Sequence, residues 1–184
     1  MRTIKKIIKK TIGVLFLVLL IIGGVIGYKG YERYKEVLEK VPLQEKIAEI
    51  RQKPSYTEIE DLPQIYLDAV VAVEDKRFYH HPGIDPISIA RAVRNDIRAR
   101  ALIEGGSTIT QQLAKQLYTP PSRGLWSRAI QKPVEWMIAI KLERFYTKGE
   151  IINMYLNRFD FLNNAVGIKT AANVYFGKEP GNLE

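Results

Sequence analysis

Apolar residues follow two distinct patterns along this chain. The stretch from Thr11 to Tyr28 holds 18 residues and no charged side chain, which is about the length needed to cross the hydrocarbon layer of a membrane. Beyond Ser55, apolar residues recur at helical spacing in segments that end at glycine or proline, and no convincing segment alternates between apolar and polar residues. The pattern predicts one N-terminal transmembrane helix followed by a mainly α domain.

The charges before the uncharged stretch indicate its orientation. Residues 1–10 contain five basic side chains and no acidic one, namely Arg2, Lys5, Lys6, Lys9 and Lys10. Because basic residues favour the cytoplasmic side, we expect a cytoplasmic tail at 1–10, a transmembrane helix at 11–28 and an extracytoplasmic remainder. The alternative is a cleaved signal peptide. Its apolar core is usually shorter, and no small-residue cleavage site is obvious before Tyr28, so a retained anchor is favoured.

The basic tail also accounts for most of the excess charge. The formal net charge is +8, and residues 1–10 supply five of those charges, so a nucleic-acid partner is not indicated. The sequence contains no cysteine, which excludes a disulfide framework, a thiolate nucleophile and a cysteine zinc site. These properties fit an extracytoplasmic enzyme with a conventional core.

Two further segments are expected after the anchor. Residues 29–54 predict a charged helix that continues from the membrane and ends at Pro54, and a solvated stalk is the favoured interpretation. Residues 55–184 predict one globular domain.

Capping residues indicate where helices begin within this domain. Asp61 is placed to cap a helix with Pro63 in its first turn, and Asp85 before Pro86 is a second cap signal. Thr147–Glu150 has the spacing of a capping box for a helix that extends to about Asn157.

Apolar periodicity predicts the remaining helices. The helix after Pro86 should bury one apolar stripe, formed by Ile87, Ala90, Val93, Ile97 and Ala101. Its arginines, Arg91, Arg94 and Arg98, lie on another face that is expected to meet solvent or lipid headgroups. Other helices are expected from Ser107, over about 132–145, and near 166–175, where Gly177 ends the last one.

An acidic pair follows an apolar helical segment at Glu74–Asp75. Glu74 shares a helix face with Leu67, Val70 and Val71, because offsets of three, four and seven residues align. Burying a carboxylate is costly unless it is paired or protonated. A buried Glu74 would have a raised pKa, which suits an acid or base near neutral pH.

A second group of polar residues surrounds the predicted helix start at Ser107. Free backbone N–H groups and the helix dipole favour an anion there, and Thr108, Gln111 and Lys115 form a polar strip on one face. This arrangement suits a phosphate or pyrophosphate. An ordinary capped amphipathic helix explains the same spacing equally well.

A third candidate is Glu135, which shares a helical face with Ile138, Ala139 and Leu142. A salt bridge to a buried arginine or lysine is the simplest explanation for a carboxylate in such surroundings. Two carboxylates on apolar helix faces indicate sugar chemistry at an anomeric carbon. Next to a phosphate-binding strip, they indicate a sugar-bound pyrophosphate as leaving group, and the membrane anchor indicates a lipid substrate.

Five segments together resemble the signatures of the peptidoglycan glycosyltransferases of family 51, in the family's order. They are Glu74–Asp85, Gly105–Lys115, Lys132–Glu135, Tyr146–Asn157 and Gly167–Lys178. This family forms the polymerising domain of class A penicillin-binding proteins and the monofunctional transglycosylases. The resemblance implies a lysozyme-like, mostly helical fold with a small membrane-associated lobe.

The resemblance also implies the reaction and the roles of individual residues. Lipid II would be the acceptor and a lipid-linked glycan chain the donor, joined with inversion to a β-1,4 bond. Glu74 would be the catalytic base, and Glu135 would place or activate the reacting groups. The substrate- and pyrophosphate-binding residues would be Ser107, Thr108, Gln111, Gln112, Lys115, Arg123 and Lys132. The residues that hold the first motif in shape would be Asp75, Phe78, His81 and Gly83. A divalent cation (Mg or Mn) is plausible at the pyrophosphate, although the sequence shows no dedicated metal cage.

The chain departs from the family pattern in two places. Gln131 stands where the family has arginine before the lysine of the third motif, and extra residues separate Lys115 from Glu135. Arg123 keeps the family's distance from Lys115, whereas Arg128 is closer to the distance from Glu135; we favour Arg123 for the pyrophosphate.

The second departure is at residue 184, where family members continue with further helices, so a truncated domain is expected. A lysozyme-like wall hydrolase and a non-catalytic scaffold that binds lipid II or other cell-wall synthesis proteins are the competing functions.

Overall fold

The computed structural model describes residues 2–101, 105–119, 121 and 124–183. These residues form eight α-helices: α1 Arg2–Lys40, α2 Leu43–Arg51, α3 Gln64–Glu74, α4 Pro86–Ala99, α5 Ile109–Tyr118, α6 Leu125–Phe145, α7 Lys148–Arg158 and α8 Ile168–Phe176. Short 3₁₀ helices cover Ile59–Asp61, Phe78–His80 and Pro180–Asn182. Within the described ranges no strand forms, apart from an isolated antiparallel bridge between Asp160 and Val166. The mainly α expectation is confirmed.

Helix α5 lies at the centre of the domain, between α6 and α7. Its apolar residues fall at helical spacing, so one side faces each neighbour. The largest fully buried side chains of these three helices are Ile109, Leu113, Val134, Ile138, Leu142, Ile151, Ile152, Met154 and Leu156. Because α5 and α6 also contain the polar residues singled out by the sequence, this core fixes their positions relative to one another.

Helix α1 is one continuous helix of 39 residues. By length and composition it contains an apolar window suited to crossing a membrane, and none of that window is buried inside the protein. Its C-terminal half is different, because Gly30 and Val37 are buried against the domain. The anchor and the domain are therefore joined without an intervening hinge.

The expectation of a solvated stalk is wrong for the segment after the anchor. The predicted single helix is interrupted at Val41–Pro42, and α2 then buries Leu43, Ile47 and Ile50 in the main core. A proline cannot continue the hydrogen-bond ladder of the preceding helix, which explains the break. The predicted boundary at residue 55 remains a prediction, although this packing favours an earlier start for the domain.

Helix α4 begins as predicted but does not bury the predicted stripe. Ile87, Val93 and Ile97 are all more than half exposed, and in this helix only Ala92 is buried. Periodicity shows that a helix has an apolar face, but not whether the protein covers that face. The structure thus leaves an apolar surface on α4 open to its surroundings.

Asp85 caps α4 as the sequence predicted. Its Oδ1 accepts a hydrogen bond from the Ile87 N–H at 3.0 Å, and its Oδ2 accepts from Ser88 Oγ at 2.7 Å and from Arg77 Nε at 2.9 Å. Burial raises the pKa of Asp85, but these hydrogen bonds and the Arg77 charge outweigh it, so the pKa lies below its ordinary value.

Other helix boundaries differ in detail from the sequence expectations. Asp61 belongs to a 3₁₀ turn and Pro63 precedes α3, so Asp61 is not the cap. Helix α6 begins at Leu125, seven residues earlier than expected, and includes Pro133. The capping box of Thr147 and Glu150 at the start of α7 is confirmed.

Candidate active site

The two acidic residues of the first motif occupy different environments. Asp75, which is 6% exposed, is the buried one, and its carboxylate lies 3.0 Å from His81 Nε2. His81 Nδ1 accepts a hydrogen bond from the Gly83 N–H at 3.2 Å, so the ring holds its proton on Nε2 and donates it to Asp75. Asp75 Oδ2 also accepts from the Ile109 N–H at 3.1 Å. This hydrogen bond fixes the position of the first motif relative to the start of α5.

Side chains of the protein itself accept the hydrogen bonds of the backbone N–H groups at the start of α5. Thr108, not Ser107, is the N-cap, and its Oγ1 accepts from the Gln111 N–H at 3.1 Å and donates to the Gly83 carbonyl at 2.7 Å. Gln111 Oε1 completes a capping box by accepting from the Thr108 N–H at 3.3 Å. With Asp75 on the Ile109 N–H, this end does not form the open anion site that was one of the two alternatives left by the sequence. The alternative of an ordinary capped helix describes it better.

Thr108 and Gln111 are therefore in positions that suit a structural role. Both are buried, and their hydrogen bonds hold the capping box together. Gly83 is also fixed here: its φ is +95°, and a Cβ at this position would lie 2.9 Å from the Ala139 carbonyl oxygen. Phe78 is fully buried, with Lys148 Nζ 4.4 Å from its ring centroid.

Glu74 is exposed, so its place on the apolar face of its helix does not bury it, and the raised pKa considered for a buried Glu74 does not apply. It is the last residue of α3, where its side chain extends past the core into a cleft of about 550 Å³ shared with Ser107 and Gln112. Gln112 Nε2 donates to Glu74 Oε2 at 2.9 Å. Glu74 therefore combines access to solvent and substrate with one fixed hydrogen bond.

Tyr155 on α7 orients this glutamine and was not among the predicted site residues. Its Oη donates to Gln112 Oε1 at 3.1 Å, which directs the amide Nε2 of Gln112 towards Glu74. Burial and the negative charge of Glu74 raise the pKa of Tyr155 above its ordinary value. Tyr155 is thus a hydroxyl donor throughout the physiological pH range.

A second cleft, of about 870 Å³, lies on the other side of Gln112 and is rich in basic side chains. It is lined by Lys115, Arg128, Lys132 and Arg158, together with Glu135. Gln112 lines both clefts, so they adjoin at this residue. A cluster of cations in one cleft favours binding of a phosphate or diphosphate group.

Glu135 is the buried carboxylate of this cleft, with 2% exposure. Lys132 Nζ donates to its Oε2 at 2.7 Å. Thr119 Oγ1 shares its one proton between the Lys115 carbonyl at 3.0 Å and Glu135 Oε1 at 3.4 Å. The simple explanation offered by the sequence, a salt bridge, describes Glu135 in this structure. Lys132 Nζ also donates to Ser107 Oγ at 3.3 Å, which links the second cleft to the first.

Of the two arginines considered for the pyrophosphate, the structure describes Arg128. Arg123 lies outside the described residues, whereas Arg128 lines the basic cleft. Arg158 lines it as well, although sequence reasoning did not select it. The sequence did contain a pointer to it. Arg158 directly follows the fourth motif, and it lies three residues after Tyr155 on the same face of α7.

The residues of the basic cleft do not form a metal site of their own. Within the described part of the chain, no three histidine or acidic side chains gather in a way that could hold a metal ion. Glu135 is already bonded to Lys132. The divalent cation expected at the pyrophosphate therefore stays a prediction.

The part of the chain that forms the helical domain and both clefts matches a known protein family. Residues 43–184 match the family model described as Transglycosylase, so the chain belongs to the transglycosylase family. The resemblance inferred from the five motifs is confirmed, and the lysozyme-like helical fold is that of this domain.

Curated relatives agree with this assignment. The chain is 46% identical over 132 residues to penicillin-binding protein 1A of Aquifex aeolicus (strain VF5), covering 72% of the chain and 18% of the relative. It is 46% identical over 125 residues to penicillin-binding protein 1F of Bacillus subtilis (strain 168), covering 68% and 17%. It is 37% identical over 156 residues to penicillin-binding protein 1A of Escherichia coli (strain K12), covering 81% and 18%. The chain thus spans less than a fifth of the length of these relatives.

Proposed function

We propose that this protein is a peptidoglycan glycosyltransferase that polymerises lipid II into glycan strands by inverting β-1,4 transfer, with release of polyprenyl pyrophosphate. The main support is the junction at Gln112, which places an accessible carboxylate, Glu74, beside a cleft lined by basic side chains. A transfer reaction needs both parts: a base for the incoming hydroxyl and positive charge for the departing diphosphate.

Glu74 is the proposed general base. It accepts the proton of the acceptor sugar 4-hydroxyl as that oxygen attacks the donor anomeric carbon. Its exposure allows this contact, and the hydrogen bond from Gln112 restricts its orientation. A positioned general base typically accelerates a reaction by about 100- to 10,000-fold.

The basic cleft is the proposed donor site. Lys115, Arg128 and Arg158 face the space where the leaving diphosphate would develop negative charge. Lys132 stands between Glu135 and Ser107, so its ammonium is held at the edge of the same cleft. Glu135 is assigned here to holding Lys132 in place rather than to proton transfer.

The membrane completes the proposed arrangement. Basic residues before the apolar window of α1 favour a cytoplasmic N-terminus and an extracytoplasmic domain. The exposed apolar side chains of α4, Ile87, Val93 and Ile97, support its assignment to the membrane-associated lobe. Enzyme, lipid-linked donor and lipid-linked acceptor would then share one surface, which increases the probability of their encounter.

The test uses the full chain in liposomes that contain lipid II. From the wild-type chain we expect glycan polymer on gels and the release of one polyprenyl pyrophosphate for each glycosidic bond formed. The Glu74→Gln variant should produce neither, whereas Glu60→Gln, which changes an exposed acid outside both clefts, should match the wild type. Tight lipid II binding without turnover would favour the scaffold function, and clearing of purified sacculi would favour a hydrolase.

A further inference from the structure

The anchor helix lies close to the domain at a glycine. Gly30 of α1 is buried, and a Cβ at this position would lie 2.6 Å from Pro133 Cβ and 3.3 Å from the Ile130 carbonyl oxygen of α6. Carbon atoms normally pack about 3.5–4.0 Å apart. The proline ring is rigid and has no rotamer in which it could move aside, so any larger residue would have to displace one helix from the other.

This contact lies next to the basic cleft. Pro133 directly follows Lys132 and precedes Glu135 by two residues, all within α6. Proline has no N–H, so the backbone ladder of α6 is interrupted at the same point. A displacement of α6 at Pro133 would therefore move Lys132, whose ammonium is bonded to both Glu135 and Ser107.

Two further contacts, C-terminal to Gly30, hold the end of α1 on the domain and resist a displacement there. Val37 of α1 is part of the core, and Tyr118 Oη at the end of α5 donates to the Val41 carbonyl at 2.9 Å. Gly30 lies two residues beyond the uncharged stretch, at the outer edge of the predicted membrane span. It also lies outside residues 43–184, which match the family model.

We infer that Gly30 is a positioning residue: its close contact with Pro133 sets the place of Lys132 in the donor cleft relative to the membrane anchor. The inference rests on the proposed function, because it assigns Lys132 to the leaving diphosphate. Gly30 itself does not contact the substrate.

The first experiment compares Gly30→Ala with Gly27→Ala in the full chain reconstituted in liposomes. Gly27 lies one turn earlier in the same helix, and a Cβ there would meet nothing within 4 Å. We expect Gly30→Ala to lower kcat for lipid II polymerisation about tenfold while KM changes less than twofold, since a misplacement of about 1 Å near the reacting groups can cost up to about 100-fold. Gly27→Ala should behave as the wild type. Equal kcat values for the two variants would overturn the inference.

Rescue and a structural control separate positioning from general destabilisation. The double variant Gly30→Ala/Pro133→Gly removes the opposing Cβ together with the ring, so its kcat should return to within twofold of Pro133→Gly alone. Val37→Ala loosens the same junction without affecting the contact at Pro133, and should lower the melting temperature while preserving kcat. A tenfold loss that persists in the double variant, or an equal loss of kcat in Val37→Ala, would overturn the inference.

Failure of the proposed function would look different. In that case the wild-type chain would make no polymer under any condition. Polymer formation by the wild type and by Gly30→Ala at the same kcat would instead reject the positioning role alone.

Discussion

The two glutamates that the sequence placed on apolar helix faces occupy contrasting environments. Glu74 ends α3 and is exposed, with a hydrogen bond from Gln112. Glu135 lies in the middle of α6, is 2% exposed, and is paired with Lys132 at 2.7 Å. The helical period is the same in both cases, but a side chain on the last turn can extend past the core whereas one in the middle cannot. Position along the helix, not periodicity, decides which carboxylate remains accessible.

The contrast also separates their chemistry. A base must reach the hydroxyl it deprotonates, and Glu74 has that access. A buried carboxylate requires a cation or hydrogen-bond donors, and Glu135 has both in Lys132 and Thr119. Variants of the two residues and of their partners distinguish an accessible glutamate that controls the rate from a buried one that controls the structure.

The largest expected effect is the loss of catalytic rate in the Glu74→Gln variant. We expect polymerisation to fall about 100- to 10,000-fold, with little change in melting temperature, because the side chain is exposed and glutamine can still accept the hydrogen bond from Gln112. Polymerisation rates and thermal unfolding of the same preparations provide the measurement. A variant that unfolds earlier yet polymerises normally would reverse the comparison between the two glutamates.

The next largest effect is on stability and concerns the ion pair between Lys132 and Glu135. Lys132→Ala leaves Glu135 buried without its cation. We expect the free energy of unfolding to fall by about 1–3 kcal/mol, which is less than the roughly 3–5 kcal/mol of a fully buried pair, since Lys132 is half exposed. Adding Glu135→Gln to the Lys132→Ala variant should recover part of this loss. Urea unfolding of the two single variants and the double variant measures the coupling, and strictly additive losses would contradict it.

A smaller effect on rate is expected from Tyr155→Phe. Without its hydroxyl, Gln112 loses the hydrogen bond that directs its amide towards Glu74, and we expect kcat to fall about tenfold with a stability loss of about 1 kcal/mol. Tyr66 is the matched control, because burial raises its pKa to about 12 and it makes no side-chain hydrogen bond within the described residues. If Tyr66→Phe lowers kcat as much as Tyr155→Phe, the link through Gln112 is not responsible.

The smallest effect is the pH-dependent contribution of Asp85. Its pKa is lowered in the folded protein, so its charged form stabilises the fold above the unfolded value of about 3.9, and this contribution is lost as pH falls through the folded pKa. Asparagine can still cap α4 but loses the charge that pairs with Arg77, so Asp85→Asn should cost about 0.2–1 kcal/mol at pH 7 and progressively less below pH 4. Urea unfolding at several pH values, with Glu60→Gln as control, checks this, and a pH-independent difference would count against the charge.

Local signals in the sequence were sufficient for several elements. The Thr147–Glu150 capping box and the Asp85 cap need only residues within one turn, so the sequence specifies them directly. Gly177 likewise ends α8 with φ +62°, where glycine is favoured.

Features that depend on tertiary contacts were less predictable. The α4 stripe and the core role of α2 depend on which surface meets which partner, and periodicity does not specify a partner. The motifs identified Glu74, Lys115, Lys132 and Glu135 as candidates. They could not reveal that the Asp75 carboxylate closes the start of α5, or that Tyr155 reaches Gln112 across 43 residues of sequence.

The continuous anchor helix has a consequence for the surrounding lipid. At 1.5 Å per residue, 39 residues span about 58 Å, roughly twice the thickness of the hydrocarbon layer of about 30 Å. A bilayer with longer or shorter acyl chains changes the tilt of such a rod, and a rod without a joint transmits that tilt to whatever is attached at its outer end. We therefore expect acyl-chain length to change the orientation of the attached domain relative to the membrane plane.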